Sequence, residues 1–174
     1  MVRYVHYQWA AVFEVGVAMA VAAPVVFGTR GLPQVEGAEV ASLLCLAGAS
    51  AFFGLLAVTT RLSWLGGEKG DFECAAPLSD LEAILPTPRE SLLRSFDGVF
   101  MVIVAVPSLV FGLLWGPWAI GWAVFFVPER IVKGVYAFFW ERRHGVLLWR
   151  GKVEEQPLGK DQSLYSSPRT ATPD

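Results

Sequence analysis

Residues Val99–Val127, VFMVIVAVPSLVFGLLWGPWAIGWAVFFV, run for 29 positions without a charged side chain. A buried strand needs far fewer, and the run is long enough to cross a bilayer. As one helix it would reach about 43 Å, well beyond a hydrocarbon core of about 30 Å. It carries its own break: Gly116-Pro117 is a turn signal, flanked by Trp115 and Trp118 with Trp122 beyond, and tryptophan favours the membrane interface. The run therefore divides into a helix ending near Trp115 and a second beginning near Trp118. The second is short of apolar length, because Pro128, Glu129, Arg130 and Lys133 interrupt after Val127. To complete a crossing it has to borrow Ile131 to Trp140; a re-entrant hairpin over 118–127 is the alternative.

Working outward, Val40–Thr60 is a further uncharged stretch and reads as a span. Its small residues Ala47 and Ala51, and Ser50 and Gly54, recur at four-residue spacing and suit close helix packing. Near the N-terminus, Arg3, Tyr4, His6 and Tyr7 precede an apolar helix running to about Phe27 and broken by Glu14. Arg3, the apolar run and Ala18-Met19-Ala20 imitate a signal peptide. Glu14 inside the run and apolar character past the cleavage motif favour a retained span.

The expected fold is all-α: a polytopic membrane protein with four transmembrane helices in two hairpins, spans at 5–27, 40–60, 97–115 and 118–140, and short cytoplasmic helices in the loop 61–96. In that loop Ser79-Asp80-Leu81-Glu82 and Thr87-Pro88-Arg89-Glu90 have capping-box form. They predict a short helix at 80–85 and a second helix running from Pro88 into the membrane as one rod. Leu92, Leu93, Phe96 and Phe100 give that rod an apolar side, opposite Arg89, Glu90, Arg94 and Asp97. Glu141-Arg142-Arg143-His144 reads as a basic stop, Gly145–Val153 as a strand or surface-lying segment, and 154–174 as a disordered cytoplasmic tail.

Composition supports a membrane class: 54% apolar residues, 17% charged and a mean hydropathy of +0.47. A net charge of -2 argues against nucleic acid as a partner. Cys45 and Cys74 make no disulfide framework, and His6 and His144 have no ligand spacing, so no metal or other cofactor is expected. Asp71, Glu73, Asp80 and Glu82 read as a solvated surface. In the four-span topology only Arg30, of 14 Lys and Arg, falls on the far face. The positive-inside rule then puts both termini and the long loop in the cytoplasm of an inner-membrane protein.

Four residues stand out as a candidate intramembrane polar site: Glu14, Glu129, Arg130 and Lys133. A carboxylate at mid-bilayer costs about 2.5–3.5 kcal/mol on insertion scales, so Glu14 needs a partner or a function. Ala10, Glu14, Ala18 and Ala22 share a small-residue stripe. Counted from opposite surfaces, Glu14 and Arg130 reach nearly equal depth, which suits an ion pair, with Glu129 and Lys133 placed to form their own i,i+4 pair; the alternative makes Pro128 the start of an interfacial helix whose charges face headgroups. With no catalytic motif present, the function expected is that of a non-enzymatic scaffold or accessory subunit. It would sit in the lipid bilayer and bind a larger membrane-protein partner or a second copy through its small-residue stripes and cytoplasmic loop. The alternative is a small transporter or channel component using Glu14; an enzyme acting on lipid comes third.

Overall fold

The structure is a computed structural model and describes residues 1–34, 36–61, 67–79, 85–159 and 162–169. Residues 80–84 of the helix predicted at 80–85 fall outside them, and with them Asp80, Leu81 and Glu82 of its capping box. Three helices are long and apolar enough to cross a membrane: α1 (Tyr4–Arg30), α2 (Gly37–Thr59) and α5 (Gly98–Trp115). Two short helices, α3 (Glu68–Glu73) and α4 (Pro88–Arg94), precede α5. After α5 come a 3-10 helix (Pro117–Phe125) and α6 (Phe126–His144).

The break at Gly116 is built as its sequence implies. Gly116 takes φ +111°, a value that L side chains rarely adopt, and Pro117 starts the next helix, where its missing N–H costs nothing. Thr87 caps α4: its Oγ1 accepts from the Glu90 N–H at 3.3 Å while the Glu90 carboxylate accepts from the Thr87 N–H at 3.2 Å. Helix α4 and helix α5 are not one rod, however. The chain leaves helical geometry at Phe96-Asp97, and the Asp97 carboxylate caps α5 by accepting from the Val99 N–H at 3.0 Å.

The packing departs from two sequential hairpins. Helix α2 docks mainly on α6 and the 3-10 helix, whereas α1 packs against α5, α6 and the 3-10 helix. The 3-10 helix thus touches all three apolar helices. Its small residues make this approach possible: Ala119 and Ala123 are buried, and a side chain at Gly121 would meet Leu43. The bundle core joins Val15 and Ala18 of α1 to Val104 of α5 and Ala123. Along the α5 seam the rings of Trp115, Phe111, Trp122, Phe126 and Phe100 follow one another at centroid distances of 4.9–5.9 Å.

The fold is not all-α. Strands β1 (Val2–Arg3), β2 (Ala76–Pro77), β3 (Val146–Arg150) and β4 (Tyr165–Pro168) form one sheet in the order β1-β3-β4-β2. Pairs β1/β3 and β3/β4 are antiparallel and β2/β4 is parallel. Within the segment read as a disordered tail, Tyr165–Pro168 therefore pairs with β3 and Tyr165 is fully buried. Composition alone missed this because a Tyr-Ser-Ser-Pro strand depends on β3 for its ladder and on Trp149, which donates to Ser167 Oγ at 2.9 Å, for its side-chain contact. With α3 and α4 the sheet forms a base under one end of the helices, its cores built on Tyr4, Phe72 and Leu148 and on Trp149 and Tyr165.

Between α2 and α6 the backbones nearly touch: a Cβ at Gly54 would stand 3.0 Å from Glu129 Cα, whereas one at Gly48 meets nothing. Gly54→Ala is expected to lower stability by about 1–3 kcal/mol through overpacking, and Gly48→Ala to leave it unchanged or slightly raised. Thermal unfolding of the two variants in detergent checks this.

Candidate functional site

The four residues singled out in the sequence all lie toward the end of the bundle that meets the base. Two contacts fix their depth. At the lower end the Glu14 carboxylate accepts from the backbone N–H of Asp97, one residue before α5; at the upper end the Arg30 guanidinium donates to the Leu113 carbonyl. Helices α1 and α5 thus run side by side from Glu14 to Arg30, about 24 Å, against a hydrocarbon core of about 30 Å. Glu14 marks the lower edge of that shared length, not its middle. Tyr4 and Val5 at the start of α1 pack into the core of the base, which an apolar count along the sequence does not reveal.

The ion pair expected between Glu14 and Arg130 is not formed. Glu14, buried at 4% exposure, serves the N–H that the break between α4 and α5 leaves without a helical partner. Arg130 lies lower, level with Gln8, to whose Oε1 it donates at 3.2 Å, and its guanidinium stands over the rings of Tyr7 and Phe100 at 5.6 and 5.7 Å. Glu129 and Lys133 do pair, at 2.7 Å, but Lys133 also reaches Glu68 of α3 at 3.1 Å with only 11% of its side chain exposed. That second contact bolts α6 to the loop, and nothing local in the sequence signals it. The Glu129 N–H donates to Ser50 Oγ at 3.1 Å, so the small residues of α2 meet the same turn of α6.

Glu141, read in the sequence as part of a basic stop, is the most deeply placed carboxylate of this region. It is 1% exposed, pairs with Arg3 of β1, and accepts from the Leu148 N–H of β3 at 3.0 Å. One side chain thereby joins α6 to two strands. Ser91 of α4 is also buried and accepts from the Arg3 N–H at 2.7 Å, with His6 Nδ1 at 3.1 Å from the same hydroxyl.

Around Tyr7 a cavity of about 450 Å³ opens between β1, the break between α4 and α5, and the end of β3. Arg94, Asp97 and Arg150 line it, and the Arg150 guanidinium stands 4.5 Å over the Tyr7 ring. Glu73, read as solvated, pairs with Arg61 at 2.7 Å on the surface. No cluster of three or more His, Cys, Asp or Glu suited to a metal ion occurs among the described residues. The chain matches no protein-family model, no curated protein and no solved structure.

Because Glu14 and Arg130 have separate partners, their effects on stability should add. A double-mutant cycle of Glu14→Gln and Arg130→Ala is expected to give a coupling below about 0.5 kcal/mol, whereas Arg3→Ala and Glu141→Ala should couple strongly. Glu141→Ala alone is expected to cost about 3–5 kcal/mol, since it strands Arg3 and the Leu148 N–H. Unfolding in a mild detergent measures all of these.

Proposed function

We propose that this protein is a non-enzymatic membrane scaffold, an accessory subunit that holds a folded base against one membrane surface for a larger membrane-protein partner. The observation that carries the reading is the use made of the charges at the foot of the bundle. Glu14, Lys133 and Glu141 each bind another element of the same chain, tying helices to the base, and Glu129 holds Lys133 from within α6. Glu14 in particular acts as a clamp on the break between α4 and α5. This favours a scaffold over a transporter built on that carboxylate, which would need it in an open path. The small-residue stripes are also occupied inside the molecule, by Ser50 and Gly54 against α6, so the partner contact falls to the base.

In this reading the 3-10 helix and the start of α6 make a fourth crossing. Nine 3-10 residues extend about 18 Å where an α-helix would cover about 14 Å, which supplies length that the uncharged segment lacks. The base then faces the cytoplasm of an inner membrane, because it carries the basic residues and the opposite end only Arg30.

Two measurements test the proposal. Cys74 is exposed at the base, so with Cys45 replaced by Ser, an impermeant maleimide should label Cys74 in inverted vesicles and not in intact cells; the reverse result overturns the orientation. The tagged full-length protein in mild detergent is expected to copurify with a stoichiometric membrane-protein partner, equally for wild type and Glu14→Gln. A lone chain, or flux through liposomes that Glu14→Gln abolishes, overturns the scaffold reading.

A further inference from the structure

We propose that the cavity beside Tyr7 is a binding site for the phosphodiester headgroup of an anionic phospholipid. The inference rests on the membrane location of the apolar helices and not on the scaffold reading. Three observations meet there. The first is depth: the cavity reaches Asp97 and Gly98, where the apolar run of α5 begins, so it opens at the level where a phospholipid headgroup sits beside a spanning helix.

The second is charge. Arg94 and Arg150 line the cavity and neither is ion-paired with a described carboxylate. Arg150 is held in place by stacking on Tyr7 at 4.5 Å, and Arg130 stands over the same ring at 5.6 Å, adding positive potential from behind. The Asp97 carboxylate also lines the cavity, though its Oδ1 is turned to the Val99 N–H. Among the lining side chains two guanidinium groups outnumber one carboxylate, which suits an anionic phosphodiester. A guanidinium fork suits phosphate oxygens in a bidentate way that an ammonium does not.

The third is an apolar exit. Phe96 lines the cavity, packs edge-on against Phe13 at 5.7 Å, and both rings are exposed on the outer side of the bundle. Acyl chains leaving the headgroup there would lie on these rings and on exposed Val99 and Val102 of α5. A free phosphate ester would use the guanidinium groups alone; the rings select the lipid.

The test uses the full chain in a mild detergent, titrated calorimetrically with dioctanoyl phosphatidylglycerol, dioctanoyl phosphatidylcholine and glycerol 3-phosphate. Saturable 1:1 binding of phosphatidylglycerol is expected, with phosphatidylcholine at least about tenfold weaker and glycerol 3-phosphate weaker still. Arg94→Gln and Arg150→Gln should each weaken phosphatidylglycerol by about tenfold or more, the loss of one charge-assisted contact. Arg89→Gln, on α4 but outside the cavity, should change nothing. Equal binding of the two lipids, or an equal loss in Arg89→Gln, would reduce the effect to diffuse attraction and overturn the site. Glycerol 3-phosphate binding as tightly as the lipid would assign the cavity to a free phosphate ester and overturn the lipid. The wild-type lipid comparison stands whether or not a variant folds, and it is independent of any protein partner.

Discussion

The structure depends on how far a short uncharged segment can reach. Descending from the Gly116 turn, the chain meets Phe100 of α5 at Phe126, so nine steps from Pro117 cover the height that α5 climbs in the fifteen from Phe100 to Trp115. At the α-helical rise this is impossible without a gap; the 3-10 rise of about 2.0 Å per residue narrows it. The cost is poorer hydrogen-bond geometry and eclipsed side chains at i and i+3. Here the eclipsed sets are Ala119-Trp122-Phe125 and Ile120-Ala123-Phe126, in which alanines give room for neighbours and rings interleave with those of α5. Because this segment is thin, α1, α2 and α5 can all reach it.

That reach also decides where the charges fall. Glu129, Arg130 and Lys133 arrive next to Tyr7, Gln8 and Glu68. Glu14 arrives at the break between α4 and α5, on a helix whose start packs into the base. The groups are therefore mixed with backbone donors, rings and loop carboxylates, an environment in which each finds its own partner. A buried carboxylate such as Glu141 is costly to place and more costly to orphan, which makes it a device for holding one arrangement of helix and sheet.

The legible parts were those with local causes. Uncharged length placed the three apolar helices, Gly116-Pro117 marked the break, and Thr87 with Glu90 marked the start of α4, each a matter of neighbouring residues. The illegible parts had partners distant in sequence. Nothing near Lys133 announces Glu68, nothing near Glu14 announces the Asp97 N–H, and a two-residue strand such as Val2-Arg3 is too short to show alternation. Glu14 and Arg130 do not pair because each has a partner that its own neighbourhood in the sequence does not name, the Asp97 N–H and Gln8. The pairing of α2 with α6 was written only as Ser50 and Gly54, small residues that could have served any neighbour.

The sheet at the base gives the chain an ordered assembly. Val2 and Arg3 are made long before the Arg150 and Trp149 with which they pair, and Gly151 packs on Met1 so closely that a Cβ would stand 3.0 Å from its Cα. Strand β1 has no strand partner until helices α1 to α6 have been synthesised, and β4 follows later still. Closure of the sheet is thus a long-range step that cannot precede completion of the bundle. A chain stalled or misthreaded at any earlier helix would leave its N-terminal strand edge open, a chemical flag by which unfinished molecules differ from finished ones.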